Sequence, residues 1–321
     1  MKAILKVENL NTRIREREKT LIVADKIDFE LGQNEILGVV GESGGGKTMT
    51  AFSLTGLVPG NAEILCSGLF FEGKKIDPSH PEEIKKIRAK GISYIFQEAT
   101  TYINPLFSVG DQIKECIRYN LSLSEKEAKR EAQQQLETVG LVPAQEYYHR
   151  FSHQLSGGMN QRVMIAMAIS SRPKILIADE PTSALDVTIE QSIVCLIQEL
   201  VKKMQFSCIW ITHDISLIQS FADRIAVMVA ARIVEIGKSS QVYQKPAHPY
   251  TKALIACLPE NLKLKRFAPI QGDVPDLSQL PPGCKFNPRC PYRMAQCLSE
   301  EPNFFDVDKE QRARCFLLQK S

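Results

Sequence analysis

The sequence predicts an α/β fold with a central, mostly parallel sheet, and three short apolar segments are the basis of that prediction. Residues 36–40, 175–178 and 208–211 are apolar throughout, which is typical of strands buried on both faces. Helix-like segments separate the later strands, as over residues 187–204. Because parallel strands need long crossover connections, this alternation favours a sheet covered by helices on both faces.

The first apolar segment leads into a glycine-rich loop and then a helix-like segment over residues 47–57. The loop fits the pattern G-x-x-x-x-G-K-[ST] of a phosphate-binding loop. Glycines let backbone N–H groups turn towards phosphate oxygens, and the following helix presents its positive N-terminus to the same anion. We therefore expect this loop to bind a nucleotide; its residues are Gly41, Glu42, Ser43, Gly44, Gly45, Gly46, Lys47 and Thr48.

Four polar side chains near the strand ends have specific roles in this interpretation. Lys47 supplies a full positive charge to the β- and γ-phosphates, and the Thr48 hydroxyl is placed to bind Mg²⁺. Asp179 ends the second apolar segment, which suits an outer ligand of the same metal ion. Glu180 follows directly and is a candidate general base for the attacking water. Ordinary surface charge is the alternative explanation for the two adjacent acids.

Further motifs resemble those of one protein family. Residues 155–162 read LSGGMNQR, which resembles the signature motif of ATP-binding cassette (ABC) ATPases. Gln97 is similar to the glutamine of the family's Q-loop, and residues 183–186 (SALD) are similar to its D-loop. His213, which follows the third apolar segment, is similar to the switch histidine of the family. All of these motifs occur in the family's order along the chain.

The resemblance covers roughly residues 1–240 and implies the family's fold. That fold is a P-loop NTPase with a central mostly parallel sheet, an antiparallel β subdomain and a helical insertion. We expect an ATPase domain over residues 1–245 that contains the helical subdomain at about 98–168. The insertion includes a polar segment over residues 124–141 whose apolar positions have helical spacing: Ala128, Ala132, Leu136 and Val139.

The resemblance also implies a division of roles among the site residues. ATP and Mg²⁺ bind to the phosphate loop, with the metal near Thr48, Gln97 and Asp179, and Glu180 and His213 are the catalytic residues. In the family, two cassettes bind two ATP molecules head to tail, and each signature motif contacts the ATP of the other subunit. The residues implied for that contact are Ser156, Gly157, Gly158 and Gln161, with Asp186 in the D-loop.

The match departs from the family pattern at two places. Family members usually stack adenine on an aromatic side chain near the first strand, but residues 10–21 contain none. Ile14 is the nearest candidate by position, and Arg13 or Arg15 is the alternative. Residues 98–99 are Glu-Ala where close relatives tend to carry Asp-Pro, in a segment that faces the membrane subunit in the family.

The last part of the chain, over residues 246–321, is predicted to be an irregular, cysteine- and proline-rich extension. Two of its segments, HPYTKAL at 248–254 and PGCKFNPRCP at 282–291, resemble the C-terminal extension of oligopeptide/dipeptide importer ATPases. That subfamily implies peptide import, and it also serves nickel and some other small solutes. With this extension, the resemblance runs almost from end to end of the chain.

Four of the nine cysteines lie within the last 38 residues: Cys284, Cys290, Cys297 and Cys315. Their spacings match neither the common ferredoxin spacings nor the closely spaced cysteine pairs of structural zinc sites. Four thiols are nevertheless the right number for a [4Fe–4S] cluster or a tetrahedral zinc ion, and members of the resembled subfamily carry such a cluster. We expect a structural [4Fe–4S] cluster, with zinc and unligated thiols as the alternatives.

The resemblance implies several partners. They are a second, distinct ABC ATPase, two transmembrane permease subunits and an extracytoplasmic solute-binding protein. The chain contains no apolar segment of the roughly 18 residues that a membrane helix needs, and its N-terminus is too polar for a signal peptide. We therefore expect a peripheral protein at the cytoplasmic face of the cell (inner) membrane.

Composition weighs against two other classes of protein. The formal net charge is +3, which gives no reason to expect nucleic-acid binding, and no sustained heptads are evident. These features disfavour a soluble ABC mechanoenzyme that acts on nucleic acid or ribosomes. The cysteine-rich extension would permit an iron–sulfur redox sensor, but the complete hydrolytic motif set favours ATP turnover.

Overall fold

The computed structural model describes residues 2–183, 185–258 and 270–319, which divide into two compact units. Unit one contains Met1–Ile84 and Trp210–Ser321, and unit two contains Lys85–Ile209. The division falls within the helix Pro81–Lys90 and within the strand Ser207–Thr212. Ala184 of the predicted D-loop motif lies outside the described residues, as does part of the predicted C-terminal extension.

The strands are short except for the first two. They are β1 (Ala3–Glu16), β2 (Lys19–Gly32), β3 (Ile36–Val40), β4 (Ala62–Leu65), β5 (Gly68–Phe71), β6 (Lys74–Ile76), β7 (Ile92–Ile95), β8 (Ile175–Asp179), β9 (Ser207–Thr212), β10 (Arg224–Val229), β11 (Arg232–Lys238), β12 (Phe305–Asp308) and β13 (Gln311–Ala313). The three predicted apolar segments coincide with β3, β8 and β9, each of which is buried along its whole length.

The helices range from one turn to five turns in length. They are α1 (Lys47–Thr55), α2 (Pro81–Lys90), α3 (Ala99–Tyr102), α4 (Val109–Leu121), α5 (Glu125–Thr138), α6 (Ala144–Tyr148), α7 (Gly157–Ser170), α8 (Val187–Met204), α9 (Ile215–Gln219), α10 (Ser239–Gln244) and α11 (Pro249–Ala256). None of the helices in the described part of the chain has the length and apolar character that a bilayer crossing requires.

Unit one contains an antiparallel sheet in which β1 is the central strand. The strand order is β2-β1-β5-β6, and β4 also pairs with β1. Leu5 and Val7 of β1 are almost fully buried, because alternate side chains of a strand point to the same face. Leu10 is also buried, beyond a register shift in the pairing of β1 with β2. This sheet confirms the predicted antiparallel β subdomain.

The second sheet of unit one carries the phosphate loop. β3 pairs in parallel with β10, and β10 pairs with β11 in an antiparallel hairpin. The extension adds β13 and then β12 to the outer edge of β11. The extension is therefore less irregular than predicted, because its short strands satisfy the edge hydrogen-bonding groups that β11 would otherwise expose.

Unit two contains a parallel pair of strands and a group of helices. β7 pairs with β8 in parallel register, with Tyr94 opposite Ile177. The predicted helix of the insertion is α5, and Ser124 begins it with a reciprocal capping box to Glu127. Three of the predicted apolar positions lie in α5 and the fourth, Val139, directly follows it; all four are fully buried. The apolar face of α5 thus confirms the helical insertion that the spacing predicted.

Candidate functional site

The predicted phosphate loop joins β3 to α1 in unit one and has a compact conformation. Lys47 lies inside the loop, where its Nζ donates hydrogen bonds to the carbonyl oxygens of Gly41 (2.8 Å) and Glu42 (3.0 Å). Gly46 has a φ of 93°, and a Cβ atom there would lie 2.5 Å from the carbonyl oxygen of Val23. Since such a contact is too close for a real Cβ, the chain requires glycine at this position.

Helix α1 begins at the end of this loop, and no side chain caps its N-terminus. Gly46 is the N-cap residue, it offers no side chain to the first-turn N–H groups, and the first turn contains no acidic residue. Uncapped N–H groups and the helix dipole together favour an anion at this end of the helix. The loop geometry therefore fits the predicted binding of phosphate, with Lys47 and Thr48 at the start of the helix.

Unit two brings together the predicted metal ligand and a tyrosine that sequence reasoning missed. Asp179 is the last residue of β8 and is 2% exposed. The Tyr94 hydroxyl donates a 2.7 Å hydrogen bond to Asp179 Oδ2. Burial and the neighbouring carboxylate raise the pKa of Tyr94 far above its usual value, so the hydroxyl stays a donor. No sequence signal pointed to this contact, because it depends on the parallel pairing of β7 with β8.

The predicted general base lies beside the predicted Q-loop glutamine in the same unit. Gln97 Nε2 donates to Glu180 Oε2 at 3.4 Å. Glu180 is half-buried, and its φ of 44° places it in the left-handed region, which non-glycine residues seldom adopt. This backbone turn directs the chain out of β8 immediately after Asp179. Gln97, Asp179 and Glu180 thus form one polar cluster with Tyr94.

The predicted signature motif begins helix α7. Ser156 is the N-cap residue, and its Oγ accepts a hydrogen bond from the N–H of Met159 at 3.3 Å. Ser156 and Gly157 are exposed, and a Cβ on Gly158 would lie 2.6 Å from Ile189. Gln161 is different, because it is 4% exposed and its Nε2 has no hydrogen-bond partner. Three of the four predicted signature residues therefore lie at the helix N-terminus, whereas Gln161 faces the interior.

Asp186 of the predicted D-loop caps helix α8. Its Oδ1 accepts hydrogen bonds from the N–H groups of Thr188 (3.1 Å) and Ile189 (3.0 Å). This is the usual role of aspartate at a helix N-cap, and it satisfies two donors that the helix itself leaves without partners. The carboxylate therefore has a structural function in this chain in addition to its predicted place in the D-loop.

His213 follows β9 in unit one and is exposed. The next residue, Asp214, caps α9 by accepting hydrogen bonds from the N–H groups of Ser216 (2.7 Å) and Leu217 (3.0 Å). The N–H of Asp214 in turn donates to Thr212 Oγ1 at 3.1 Å. These bonds give the turn around His213 a defined shape. The predicted site residues are therefore distributed over both units, each set held by its own hydrogen bonds.

The region of the predicted adenine contact contains no obvious stacking surface. Ile14 is 7% exposed within the antiparallel sheet, so its side chain belongs to the core. Arg13 and Arg15 are exposed, and Arg15 forms an ion pair with Glu63 at 3.1 Å. Of the residues considered, the two arginines remain available as adenine contacts.

The four cysteines of the extension line one small cavity of about 10 Å³, together with Phe286 and His248. Burial raises the pKa of Cys284 to about 11, and it also raises the pKa of Cys290 and Cys315. Among the residues that the structure describes, no group of three or more histidine, cysteine or acidic side chains has the arrangement of a metal site. The predicted iron–sulfur cluster is therefore not supported by the ligand geometry, although the predicted convergence of the four thiols is present.

Comparisons with known proteins agree with this geometry. The family model "ABC transporter" matches residues 24–183, and the model "Oligopeptide/dipeptide transporter, C-terminal region" matches residues 234–297. The chain is 38% identical to the oligopeptide transport ATP-binding protein AppD of Bacillus subtilis, over 100% of this chain and 98% of AppD. It is 40% identical to the dipeptide transport ATP-binding protein DppD of Haemophilus influenzae, over 95% of this chain and 93% of DppD.

A solved structure shows the same fold. The structure of cbiO1 from Clostridium perfringens, part of the ABC transporter complex cbiONQ, superposes with a TM-score of 0.65. It shares 27% sequence identity and covers 83% of this chain and 99% of its own. Fold and phosphate loop together define an ATPase of the ABC class. The chain belongs to the ABC transporter family, in its group of oligopeptide and dipeptide transport ATP-binding proteins.

Proposed function

We propose that this chain is the ATP-hydrolysing subunit that powers import of dipeptides or oligopeptides across the cytoplasmic membrane, from its cytoplasmic face. The observation that carries the proposal is the phosphate loop in a chain that is similar from end to end to peptide transport ATP-binding proteins. The extension supports the solute class, because it matches the C-terminal region described for oligopeptide/dipeptide transporters.

The proposed partners follow from the incompleteness of a single cassette. Ser156 and Gly157 are exposed at the N-terminus of α7, where backbone N–H groups favour an anion. We assign them to the γ-phosphate of an ATP molecule bound by a second, distinct ABC ATPase, arranged head to tail with this chain. Two transmembrane permease subunits and an extracytoplasmic solute-binding protein complete the proposed importer, and no nucleic acid takes part.

The proposed mechanism assigns one task to each group of side chains. The loop over residues 41–48 holds the phosphates by backbone N–H groups and by Lys47. The side-chain oxygens of Thr48, Gln97 and Asp179 are of the kind that Mg²⁺ prefers, and these residues would hold the ion. When bound, Mg²⁺ would neutralise negative charge on the phosphates. Glu180 takes a proton from the attacking water. His213 donates to the γ-phosphate and stabilises the charge that develops on it.

The substitution Glu180→Gln tests this assignment in the chain assembled with its partners. The variant keeps the volume of the side chain and its contact with Gln97, but it cannot accept the proton. We expect ATP binding to persist and the hydrolysis rate to fall by about 10²–10⁴-fold. Glu199→Gln is the matched control, since Glu199 is exposed on α8 and should leave the rate unchanged. Wild-type turnover in the Glu180 variant would remove that residue from the base role.

The solute is tested by uptake into vesicles that contain the assembled importer and its binding protein. ATP-dependent uptake of a radiolabelled tripeptide, competed by unlabelled peptides, is the expected result. Uptake of Ni²⁺ or another small solute with no effect of peptides would keep the ATPase role and replace the solute. Failure of this chain to copurify with membrane subunits would contradict the transport role itself.

We also propose a thiolate metal site in the extension, with a [4Fe–4S] cluster preferred and zinc as the alternative. The convergence of four thiols on one cavity supports it, although the cavity of about 10 Å³ has room for only about one water-sized atom, so the thiols must move apart to hold a cluster. When bound, the metal would tie the extension into one shape. Iron, acid-labile sulfide and zinc assays on anaerobically purified protein, repeated on cysteine-to-serine variants, decide between the two; a metal-free chain after reconstitution would contradict the site.

A further inference from the structure

Two residues of the extension, Tyr250 and Arg289, contact Glu42, the second residue of the phosphate loop. The Glu42 N–H donates a 2.9 Å hydrogen bond to the hydroxyl oxygen of Tyr250. Its carboxylate receives two parallel hydrogen bonds from Arg289, at 2.7 Å and 2.8 Å. Both contacts join residues of unit one that lie more than 200 positions apart in the chain. The second residue of the loop is thus held at its backbone and at its side chain.

Burial and hydrogen bonds within the extension restrict the conformation of the Arg289 side chain. Its side chain is 5% exposed, and its Nε donates to the carbonyl oxygen of Gln271 at 3.1 Å. The ion pair with Glu42 raises the pKa of Arg289. Two-pronged arginine–carboxylate pairs combine strong hydrogen bonds with a fixed orientation. The geometry therefore defines where the Glu42 side chain lies.

Tyr250 and Arg289 both contact the same aromatic ring. Tyr250 is fully buried, and its ring centroid lies 5.3 Å from that of Phe286. The guanidinium carbon of Arg289 lies 5.8 Å from the centroid of the same ring. Phe286 is 1% exposed and lines the cavity of the four cysteines. One buried ring thus connects the thiol cavity with both contacts to the phosphate loop.

The position of Glu42 determines the shape of the loop. Its carbonyl oxygen accepts hydrogen bonds from Lys47 Nζ at 3.0 Å and from the N–H of Gly45 at 3.1 Å. Rotation of Glu42 would therefore move the acceptor that orients the loop lysine. Arg289 also neutralises a carboxylate that would otherwise stand uncompensated in a loop that must accept an anion.

We propose that Arg289 and Tyr250 are positioning residues for nucleotide binding, which hold Glu42 so that the phosphate loop is preorganised and thereby couple the extension to ATP affinity. The inference rests on nucleotide binding at the loop and not on the presence of a metal among the cysteines. It predicts reciprocity, because two coupled sites must influence each other by the same factor. Nucleotide binding must then strengthen the contact between extension and loop.

The test uses the purified full chain and a fluorescent ADP analogue, since ADP needs no second cassette. The variants are Arg289→Ala, Glu42→Gln, their double variant, and Tyr250→Phe. We expect Arg289→Ala to weaken ADP binding by about five- to tenfold, the lower part of the usual range for coupled sites. The double variant should bind no more weakly than Arg289→Ala alone, because one interaction cannot be lost twice. Arg293→Ala, an exposed arginine of the same segment, is the control for charge and should bind as wild type does.

Two results would overturn the proposal: Arg289→Ala binding within twofold of wild type, or additive effects in the double variant. Should Arg289→Ala not fold, the single variants Glu42→Gln and Tyr250→Phe decide, because both changes keep side-chain size and each weakens a different contact of Glu42. Both should bind ADP more weakly than wild type, and wild-type affinity in both would overturn the proposal. Hydrogen–deuterium exchange provides the readout that a purely structural role would not move. ADP should slow exchange over residues 284–290 in wild type and not in Glu42→Gln. Absence of ADP binding by the wild type would instead contradict the proposed ATPase function.

Discussion

The buried carboxyl group of Glu235 offers a sharp test of how the extension is attached. Glu235 is 0% exposed in β11. Its Oε1 accepts hydrogen bonds from the Ala247 N–H (2.9 Å) and from Gln311 Nε2 (2.7 Å), and its Oε2 accepts one from the His248 N–H (2.8 Å). The side chain thus joins β11 to the start of α11 and to β13.

The expected cost of removing this group follows from those three bonds. Glu235→Ala leaves the buried N–H groups of Ala247 and His248 without partners and opens a cavity. Gln311 keeps its second bond, to the carbonyl oxygen of Lys245 at 3.0 Å. A hydrogen bond to a charged group contributes about 1.5–3 kcal/mol, and an orphaned buried donor costs a similar amount, so we expect a loss of about 3–6 kcal/mol. Glu235→Gln keeps one acceptor and sets an amide donor against a backbone donor, with an expected loss of about 1–3 kcal/mol.

Urea unfolding, followed by far-UV circular dichroism and by tryptophan fluorescence, measures these changes. Glu310→Ala is the matched control, because Glu310 is about half exposed and pairs with the equally exposed Lys238. Exposed pairs contribute about 0–1 kcal/mol, so the control should unfold almost as wild type does. The free energy of unfolding should be highest for the Glu310→Ala control, lower for Glu235→Gln and lowest for Glu235→Ala. A loss below about 1 kcal/mol for Glu235→Ala would refute the reasoning, because buried donors would then have found other partners.

Two further predictions concern charge and backbone. Burial alone would raise the pKa of Glu301, but hydrogen bonds from Lys26, Arg232 and Lys285 lower it to about 2. The stability that ionised Glu301 contributes is fully present above the ordinary pKa near 4.5 and is lost as the pH falls from there towards 2. Between pH 7 and pH 4, the wild type should therefore lose about 0.5–1 kcal/mol more unfolding free energy than Glu301→Gln. Equal losses in the two proteins would contradict this. Gly46→Ala should abolish binding of the fluorescent ADP analogue while circular dichroism stays unchanged, since the methyl group would meet a backbone oxygen at 2.5 Å; wild-type affinity would show that the loop can relax.

Much of this fold could be predicted because its signals are local. The three apolar segments became β3, β8 and β9, since a short run of apolar residues is stable only as a buried strand in this context. The spacing of Ala128, Ala132 and Leu136 predicted the buried face of α5. The short strands β12 and β13 had no such signal. They contain charged residues and are stabilised by pairing: β13 pairs with the edge of β11, and β12 pairs with β13. That pairing is a property of the partner strand and not of their own sequence.

Some features of the candidate site could likewise be predicted from local sequence, and others could not. Every residue of the phosphate loop could be named in advance, because the loop needs glycines and a lysine at fixed spacing within eight residues. The hydrogen bond of Tyr94 to Asp179 could not, since it depends on parallel pairing of strands 85 residues apart. Gln161 was assigned by resemblance to the contact with the partner's ATP, and only the structure shows that its side chain is buried.

The sequence by itself determined the family, the candidate nucleotide loop and the pattern of apolar and polar positions in each predicted element. These properties depend on residue types at short, fixed spacings. Only the tertiary structure decided what holds the phosphate loop. Glu42 and Arg289 are separated by 247 residues, and neither belongs to a pattern that selects the other. Their contact exists because the extension packs through Phe286 beside the loop, and such long-range complementarity arises from the folded chain as a whole.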